Sequence, residues 1–472
     1  FGDATNSGAL TFGGAGAITA TSTVTVASDV SWTGIVSGGG SLTKTGAGEL
    51  TLAGANTYAG ATSVTGGILR LNGGAAILDS AALTVTAPGL VRLGASETIG
   101  SLAGGGDVDL QAYALTVGGS ATTVFSGVMS GSGGMLVKSG SGDLTLSVAN
   151  TFSGGTTVNA GFLRLGSATA LGDGQITMTG GTLSSDSTTA RSVGNAYSFG
   201  GAVTLGDTVK SGALTFSGVG TLTANTTLTT QSSVSLGGSI AGAFSLTKSG
   251  ASILTLGGAN TFTGGVTVQG GTLQLGNDAA LGTGLLTLNT ASVVVSSDTT
   301  AARTLVNGFT IGASVTLGNA TNNGTLTFGG AGAITATPTV TVNSAVNWNG
   351  ILSGTGFTKA GTGELTLGGV NTYTGTTMVT GGTLTLNGGS AIVDAGTVTV
   401  TSPGILKLGA NETVGSLGGT GAVNLVGNTL TVSGTATTGV LSGVMSGTGG
   451  FVRGGTGATT LSGTNTFSGG VT

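Results

Sequence analysis

The chain has 472 residues, 98 of them Gly, with 6% charged residues, 4% aromatic residues, 3 Pro, no Cys and no His. The lack of Cys and His excludes disulfides, thiolate nucleophiles, the usual zinc sites and a histidine general base. With few Pro and no Gly at every third place, a collagen triple helix is also excluded. The net charge of −4 is thinly spread without a basic cluster, which argues against nucleic-acid binding.

Short runs in which apolar residues alternate with Thr or Ser follow one another from the start of the chain. They include ALTF at 9–12, TVTV at 23–26, ELTL at 49–52, ILRL at 68–71 and ALTV at 82–85. An alternation of period two in β-branched and apolar residues predicts short, half-buried strands. Gly and Asn between the runs favour tight turns. The pattern predicts an all-β protein, and no run is long and apolar enough to predict a transmembrane segment.

One motif returns five times along the chain. It reads LTKTGAGELTLAGANTYAGATSVTGGILRLN at 42–72, and the other copies occupy 136–166, 246–277, 357–387 and, cut short, 451–472. Lys44 and Lys359 lie 315 residues apart, and residues 2–157 closely match 318–472. We therefore predict one continuous β-solenoid over 1–472, of about 20 rungs, and a fragment of a longer array with a long period of 315 residues.

The motif resembles the autotransporter-associated β-strand repeat, also called the passenger-associated transport repeat. The resemblance rests on L-T-K-x-G-x-G-x-L-T-L, N-T-[YF]-x-G-x-T and G-x-L-x-L, as at 42–71 and 357–386. It implies a right-handed parallel β-helix, exported by a type V, autotransporter-like route and attached to the bacterial outer membrane or released outside the cell.

The strongest carboxylate pair is Asp107 and Asp109 in GGGDVDL, two residues apart on one side of a strand. The corresponding segment of the next long repeat, GTGAVNL at 419–425, has neither Asp, so a solvated or turn-capping role is favoured over catalysis. The Asp-containing turns at 171–174 and 276–279 are single events, unlike a tandem calcium-binding solenoid.

Several polar and aromatic residues recur with the repeats. Lys44 and Glu49 predict an exposed ion pair across a turn, and Asn56 a turn cap or a stacked ladder. Thr-x-Thr runs such as 23–26 and 397–401 resemble ice-binding β-helices, but their intervals in the sequence look irregular and favour ordinary solvent-facing threonines. Trp32 and Trp348 fill the core of equivalent rungs or, alternatively, form a platform for stacking on sugars.

These features predict a secreted cell-surface structural fibre or stalk for extracellular matrix, attachment or spacing, and no enzyme. The alternative is an adhesin passenger that binds glycans or surfaces through one face of the rod. No catalytic, cofactor-binding or metal-binding residue is predicted, and no cofactor. The expected partners are other copies of the protein, in filaments or bundles, and a surface or glycan ligand; no nucleic acid is expected.

Overall fold

The fold was analysed in a computed structural model that describes residues 1–435 and 439–472. Within these residues every regular element is a β-strand, and the strands wind into a parallel β-solenoid of about 22 turns. The chain divides into two compact units, Phe1–Val234 and Ser235–Thr472. The all-β, solenoid prediction is confirmed. The right-handed winding and the single continuous solenoid over 1–472 stay predictions.

The strands are short because a Gly-rich corner interrupts each apolar–polar alternation after two to five residues in most cases. In the first unit they are numbered β1 to β27 in chain order. They are Leu10–Phe12, Gly16–Ala17, Ser22–Thr25, Val30–Trp32, Val36–Ser37, Leu42–Thr45, Glu49–Leu52, Thr62–Val64, Ile68–Leu71, Ala82–Val85, Leu90–Leu93, Glu97–Ile99, Ser101–Ala103, Asp107–Asp109, Ala114–Val117, Thr123–Phe125, Met129–Ser130, Met135–Lys138, Asp143–Leu146, Gly155–Val158, Phe162–Leu165, Ile176–Met178, Thr182–Ser185, Arg191–Val193, Tyr197–Leu205, Leu214–Phe216 and Gly220–Thr230.

Strands β28 to β57 come next, and β28 starts at the final residue of the first unit. They are Val234–Leu236, Ile240–Ala241, Leu246–Ser249, Ile253–Leu256, Val266–Val268, Thr272–Leu275, Leu286–Leu288, Val293–Ser297, Arg303–Leu305, Phe309–Ile311, Val315–Leu317, Leu326–Phe328, Gly332–Ile334, Thr339–Val342, Val346–Trp348, Leu352–Gly354, Phe357–Ala360, Glu364–Leu367, Thr377–Val379, Thr383–Leu386, Thr397–Val400, Ile405–Leu408, Glu412–Val414, Ser416–Gly419, Ala422–Asn424, Leu430–Val432, Gly439–Leu441, Met445–Ser446, Phe451–Arg453 and Thr459–Leu461.

Each strand pairs in parallel with a strand of a neighbouring turn, so successive turns build continuous faces. In the first unit one face, here called face A, consists of β3, β6, β8, β10 and β13. A second, face B, consists of β1, β4, β7, β9, β11, β14 and β17. The pairing places Leu50 beside Leu69 and Leu52 beside Leu71, so identical residue types stack one above another.

The inward residues of these faces form the core. Along β7 the burial alternates, with Leu50 and Leu52 fully buried while Glu49 and Thr51 point outward. In the second unit β45 repeats this pattern with Leu365 and Leu367. Because the inward column is almost entirely aliphatic, burial of apolar surface is what holds one turn on the next.

Candidate functional site

The lysine of the motif lies inside the solenoid. The Lys44 side chain is fully buried, and its Nζ donates to the carbonyl oxygens of Thr45, Gly46 and Gly66 at 3.2, 2.9 and 2.8 Å. Three acceptors match the three donors of an ammonium group. Gly67 comes next with φ +59°, and a Cβ there would lie 2.8 Å from the ammonium. Burial lowers the pKa of Lys44 to about 8.

The same arrangement recurs in three other copies of the motif. Lys248 donates to the carbonyls of residues 249, 250 and 270, and Lys359 to those of residues 360, 361 and 381. Lys138 donates to Gly140 and Ala160. One acceptor comes from the following turn in every case, so the ammonium ties two turns together.

The predicted exposed pair between Lys44 and Glu49 is wrong. Leu42 and Lys44 alternate with Thr43, so both point inward, whereas Glu49 begins the next strand pointing outward. Glu49 instead pairs with Arg70 of the following turn, with 2.5 Å between Oε1 and Nε. The backbone carbonyls of the glycine corner replace the carboxylate as the partner of the lysine.

The asparagine of the motif bridges three consecutive turns. Asn56 is buried; its Oδ1 accepts from the N–H of Val36 at 2.8 Å, and its Nδ2 donates to the carbonyl of Ala76 at 2.9 Å. Asn150, Asn260 and Asn371 make the same two bonds with their neighbouring turns. The side-chain amide thus substitutes for a backbone amide at a corner without a strand. The predicted capping of a turn is confirmed, and the alternative of a stacked asparagine ladder is wrong, because each asparagine bonds backbone groups of its neighbouring turns.

The turn that comes after the motif is capped in two different ways. After the first and fourth copies a buried glutamate accepts two backbone N–H groups: Glu97 from Ala76 and Ile77, at 3.2 and 2.8 Å, and Glu412 from Ala391 and Ile392. Burial raises the pKa of Glu97 to about 7, against the opposing effect of these two hydrogen bonds.

After the second and third copies an asparagine donates instead. Asn195 Nδ2 donates to the carbonyls of Gly172 and Gly174 at 2.9 and 2.7 Å. Asn307 Nδ2 likewise donates to the carbonyls of Gly282 and Gly284. The corner after each of these two copies directs carbonyl groups at the capping side chain. The corner after the first or fourth copy directs N–H groups at it, so the cap there is an acceptor and not a donor.

The copies of the motif do not stack on one another. In the first unit β7, the second strand of the first copy, belongs to face B, which continues to β17. The N–H of Met129 in β17 donates to Asn150, the asparagine of the second copy. The second copy is therefore shifted by one face relative to the first, and the buried lysines form no column.

The outer side of face A carries two adjacent columns of hydroxyl side chains on four consecutive turns, here called the hydroxyl face. Thr23 pairs with Thr43 and Thr43 with Ser63, which in turn pairs with Thr84. The second column lies two residues further along each strand. The eight residues are Thr23, Thr25, Thr43, Thr45, Ser63, Thr65, Thr84 and Thr86.

The expectation that Thr-x-Thr runs lie at irregular intervals is thus wrong for this face. Thr23, Thr43, Ser63 and Thr84 follow one another at nearly even spacing, one in each turn, so each hydroxyl lies beside that of the turn before it. In the second unit the corresponding columns run from Thr339 and Thr341 to Thr399 and Thr401. They are interrupted by Ala360 and Met378, where the first unit has Thr45 and Ser63.

The predicted carboxylate pair has separate structural partners. Asp107 Oδ1 accepts from the N–H of Val128 at 2.9 Å, and Asp109 Oδ2 accepts from Arg92 Nε at 3.0 Å. Asp278 accepts from the N–H of Thr304 at 3.0 Å. Turn capping and ion pairing account for these aspartates. Among the described residues no three Asp or Glu side chains converge as metal ligands would.

The two tryptophans occupy equivalent places on β4 and β42. Trp348 is 1% exposed and packs on Phe309 and Phe357, with ring centroids 5.6 and 5.4 Å apart. Trp32 is half-buried and contacts Phe1 with 6.2 Å between centroids. The core role is confirmed for Trp348.

Comparison with known proteins identifies the motif. The family model described as Passenger-associated-transport-repeat matches residues 42–71, 136–165, 246–275, 357–386 and 451–472. This chain carries five passenger-associated transport repeats. The predicted family resemblance is confirmed, and the buried lysine, the bridging asparagine and the glycine corner all lie within the matched residues.

A curated relative agrees with this assignment. The adhesin BmaC autotransporter of Brucella suis biovar 1 (strain 1330) is 33% identical over 251 residues, which is 48% of this chain and 7% of that protein. Together the repeats and this relative fit a cell-surface β-helical passenger. No solved structure matches the chain. A search of the described residues for helices of membrane-spanning length and hydropathy finds none.

Proposed function

We propose that this segment is a non-enzymatic structural stalk or fibre of a secreted, cell-surface passenger, which spaces cells, builds extracellular matrix or presents a distal part of the protein. The observation that supports it is the inward direction of the motif. Its lysine, asparagine and following cap all bond backbone groups of neighbouring turns. Residues that a binding or catalytic motif would present to solvent are used here to join one turn to the next.

The stalk role is tested on bacteria that display the natural passenger with an epitope tag near its distal end. One variant carries an additional 315-residue period and another lacks one. We expect the tag to stand farther from the outer membrane in the longer variant and nearer in the shorter one, as measured by immunogold electron microscopy. A tag position that does not change with the number of periods would contradict the proposal.

An adhesin is the second candidate, favoured by the hydroxyl face and by the name of the curated relative. The face is uncharged and regular, and each turn presents two hydroxyl groups, which the threonines accompany with methyl groups. Such a surface offers hydrogen-bond donors, acceptors and apolar contacts at the turn spacing of about 4.8 Å. An extended, neutral glycan or another polymer with many hydroxyl groups is the ligand class that this chemistry suits.

The adhesin role is tested by exchanging the residues that interrupt the hydroxyl columns of the second unit with those of the hydroxyl face in the first. Thr45→Ala with Ser63→Met gives the first unit the interruptions of the second, and Ala360→Thr with Met378→Ser repairs the second. On a glycan array we expect the first variant to lose binding at least tenfold and the second to gain it. Equal binding by both variants and the parent would reject this face as the ligand site.

Self-association into filaments or bundles is proposed as the mode of assembly. The low surface charge supports it, because little repulsion opposes contact between copies. Sedimentation velocity over a hundredfold range of concentration should show growing assemblies, whereas a single monomeric species throughout would contradict self-association.

A further inference from the structure

Nearly all basic residues of this protein lie within β-strands. Among the described residues, which include every Lys and Arg, all but Lys210 lie within a β-strand. The strand residues are Lys44, Arg70, Arg92, Lys138, Arg164, Arg191, Lys248, Arg303, Lys359, Lys407 and Arg453. Their backbones are fixed by the parallel pairing, and proteases cleave poorly where the chain cannot leave such a ladder.

The charged groups of these strand residues also have hydrogen-bond or ion-pair partners. The four buried lysines and Arg453 donate to backbone carbonyls. The other arginines pair with aspartates or Glu49, and Lys407 lies 3.5 Å from Glu364. In the described part of the chain Lys210 is the basic residue whose ammonium has neither an ion-pair partner nor a hydrogen bond.

Lys210 lies in the loop 206–213 between β25 and β26. Asp207 anchors this loop: its Oδ1 accepts from the N–H groups of Val209 and Lys210 at 2.7 and 3.0 Å, and its Oδ2 pairs with Arg164 at 2.6 Å. The Val209 side chain is 81% exposed, so the tip stands out from the solenoid. Exposed loop tips are the preferred places of proteolytic nicking.

A loop of the same design in the second unit shows the effect of Lys210 by contrast. In the loop at 318–325, Asn319 Oδ1 accepts from the N–H groups of Thr321 and Asn322, as Asp207 does from its own loop. Asn322 stands where the first unit has Lys210. The two loops therefore share the backbone hydrogen bonds of their anchoring residue, whereas the ion pair of Asp207 with Arg164 has no counterpart at the neutral Asn319. Only the first loop offers a basic side chain to a protease.

We propose that the Lys210–Ser211 bond is a processing site for trypsin-like serine proteases. Lys210 is half-buried, and its ammonium makes no ion pair or hydrogen bond that would hold it back from an acidic specificity pocket. Hydrolysis breaks the bond between the Lys210 carbonyl carbon and the Ser211 nitrogen; the hydroxyl of a water joins the carbon and a hydrogen joins the nitrogen. The products are a new carboxylate at Lys210 and a new amine at Ser211. This site is independent of whether the segment is a stalk or an adhesin.

The nicked chain stays assembled, because strands on either side of the cut are paired with each other. Arg191, Ser192 and Val193 of β24 pair with Leu214, Thr215 and Phe216 of β26. The long strands β25 and β27 pair from Tyr197 with Gly220 to Leu205 with Thr230. Processing would therefore convert one chain into two fragments that separate only when the solenoid unfolds.

The test is limited digestion of the native chain with trypsin. We expect fragments Phe1–Lys210 and Ser211–Thr472 in a denaturing gel, a new amino terminus at Ser211 by sequencing, and a single species in native size-exclusion chromatography. Lys210→Asn, which copies the loop of the second unit, should slow the appearance of these fragments at least tenfold, whereas Lys407→Asn should leave it unchanged.

Two outcomes would overturn the proposal. One is a digest of the parent chain that contains no fragment beginning at Ser211. The other is a Lys210→Asn variant that yields the same fragments at the rate of the parent. Dissociation of the two fragments in native chromatography would overturn the inference that the nicked solenoid stays assembled.

Discussion

The first and second repeats of the first unit share their internal bonds but differ in the group that caps the next turn. In both, a buried lysine bonds carbonyls of two turns and an asparagine bridges three. After the first repeat a carboxylate, Glu97, accepts two N–H groups; after the second an amide, that of Asn195, donates to two carbonyls. One repeat is thus linked to pH through a buried acid, and the other has a cap that does not titrate.

The largest expected effect tests the lysine that the two repeats share. Lys44→Met or Lys138→Met removes the ammonium and leaves buried carbonyls without donors, so each should lower the free energy of unfolding by about 2–4 kcal/mol. Urea denaturation measures the loss. Lys210→Met, in the loop at 206–213, is the control and should change stability by less than about 0.5 kcal/mol, because no hydrogen bond of an ammonium is lost there. A loss in only one repeat would show that the lysines are not equivalent.

The bridging asparagines should have the next largest effect. Asn56→Asp or Asn150→Asp replaces a donor by a second acceptor that faces a backbone carbonyl, and should destabilise by about 2–3 kcal/mol at neutral pH. The exposed Asn72, changed to Asp in the same way, serves as the control. Stability indistinguishable from the parent in both repeats would mean that backbone pairing alone holds this corner.

The pH response separates the two repeats. Since the pKa of Glu97 is about 7 in the folded chain and near 4.5 when unfolded, the folded state binds the proton more tightly. Its stabilising contribution is complete below pH 4.5 and is lost as pH rises through 7. Glu97→Gln should flatten this decline by about 2 kcal/mol between pH 5 and pH 7.5.

Asn195→Ala provides the contrast for that measurement. It should cost about 1 kcal/mol at both pH values, because it removes hydrogen bonds without removing a titrating group. The aspartates whose pKa is lowered, such as Asp109 and Asp186, titrate below the window of Glu97 and leave it undisturbed. A Glu97→Gln variant that keeps the slope of the parent would place the linkage elsewhere.

The smallest effect concerns the outer surface. Arg70 pairs with Glu49 within the first repeat, while the fourth repeat has Thr385 at the position of Arg70. Arg70→Thr should lower stability by less than about 1 kcal/mol, because the pair is partly exposed. Raising the salt concentration should reduce the difference in unfolding free energy between the variant and the parent. A loss above about 2 kcal/mol would mean that this ion pair stabilises the contact between turns more than exposed pairs usually do.

Much of the fold could be predicted from the sequence. The alternation in ELTL at 49–52 places Leu50 and Leu52 inside, and the structure confirms it. The alternation in LTKT at 42–45 likewise indicates that Lys44 points inward, since Lys44 lies two residues after Leu42. The sequence nevertheless predicts an exposed lysine, because charged side chains are rarely buried unless they are paired. The partners of Lys44 are backbone carbonyls, which no sequence pattern displays.

By itself, the sequence determined the strands, their inward residues and the repeat, because a period of two and a recurring motif are local properties of the chain. The register between turns was decided only by the tertiary structure. Each turn closes on the preceding one through backbone hydrogen bonds, and this aligns Thr43 with Ser63 and shifts the second repeat by one face relative to the first. Pairing between turns depends on corner conformation, which spacing in the sequence does not specify.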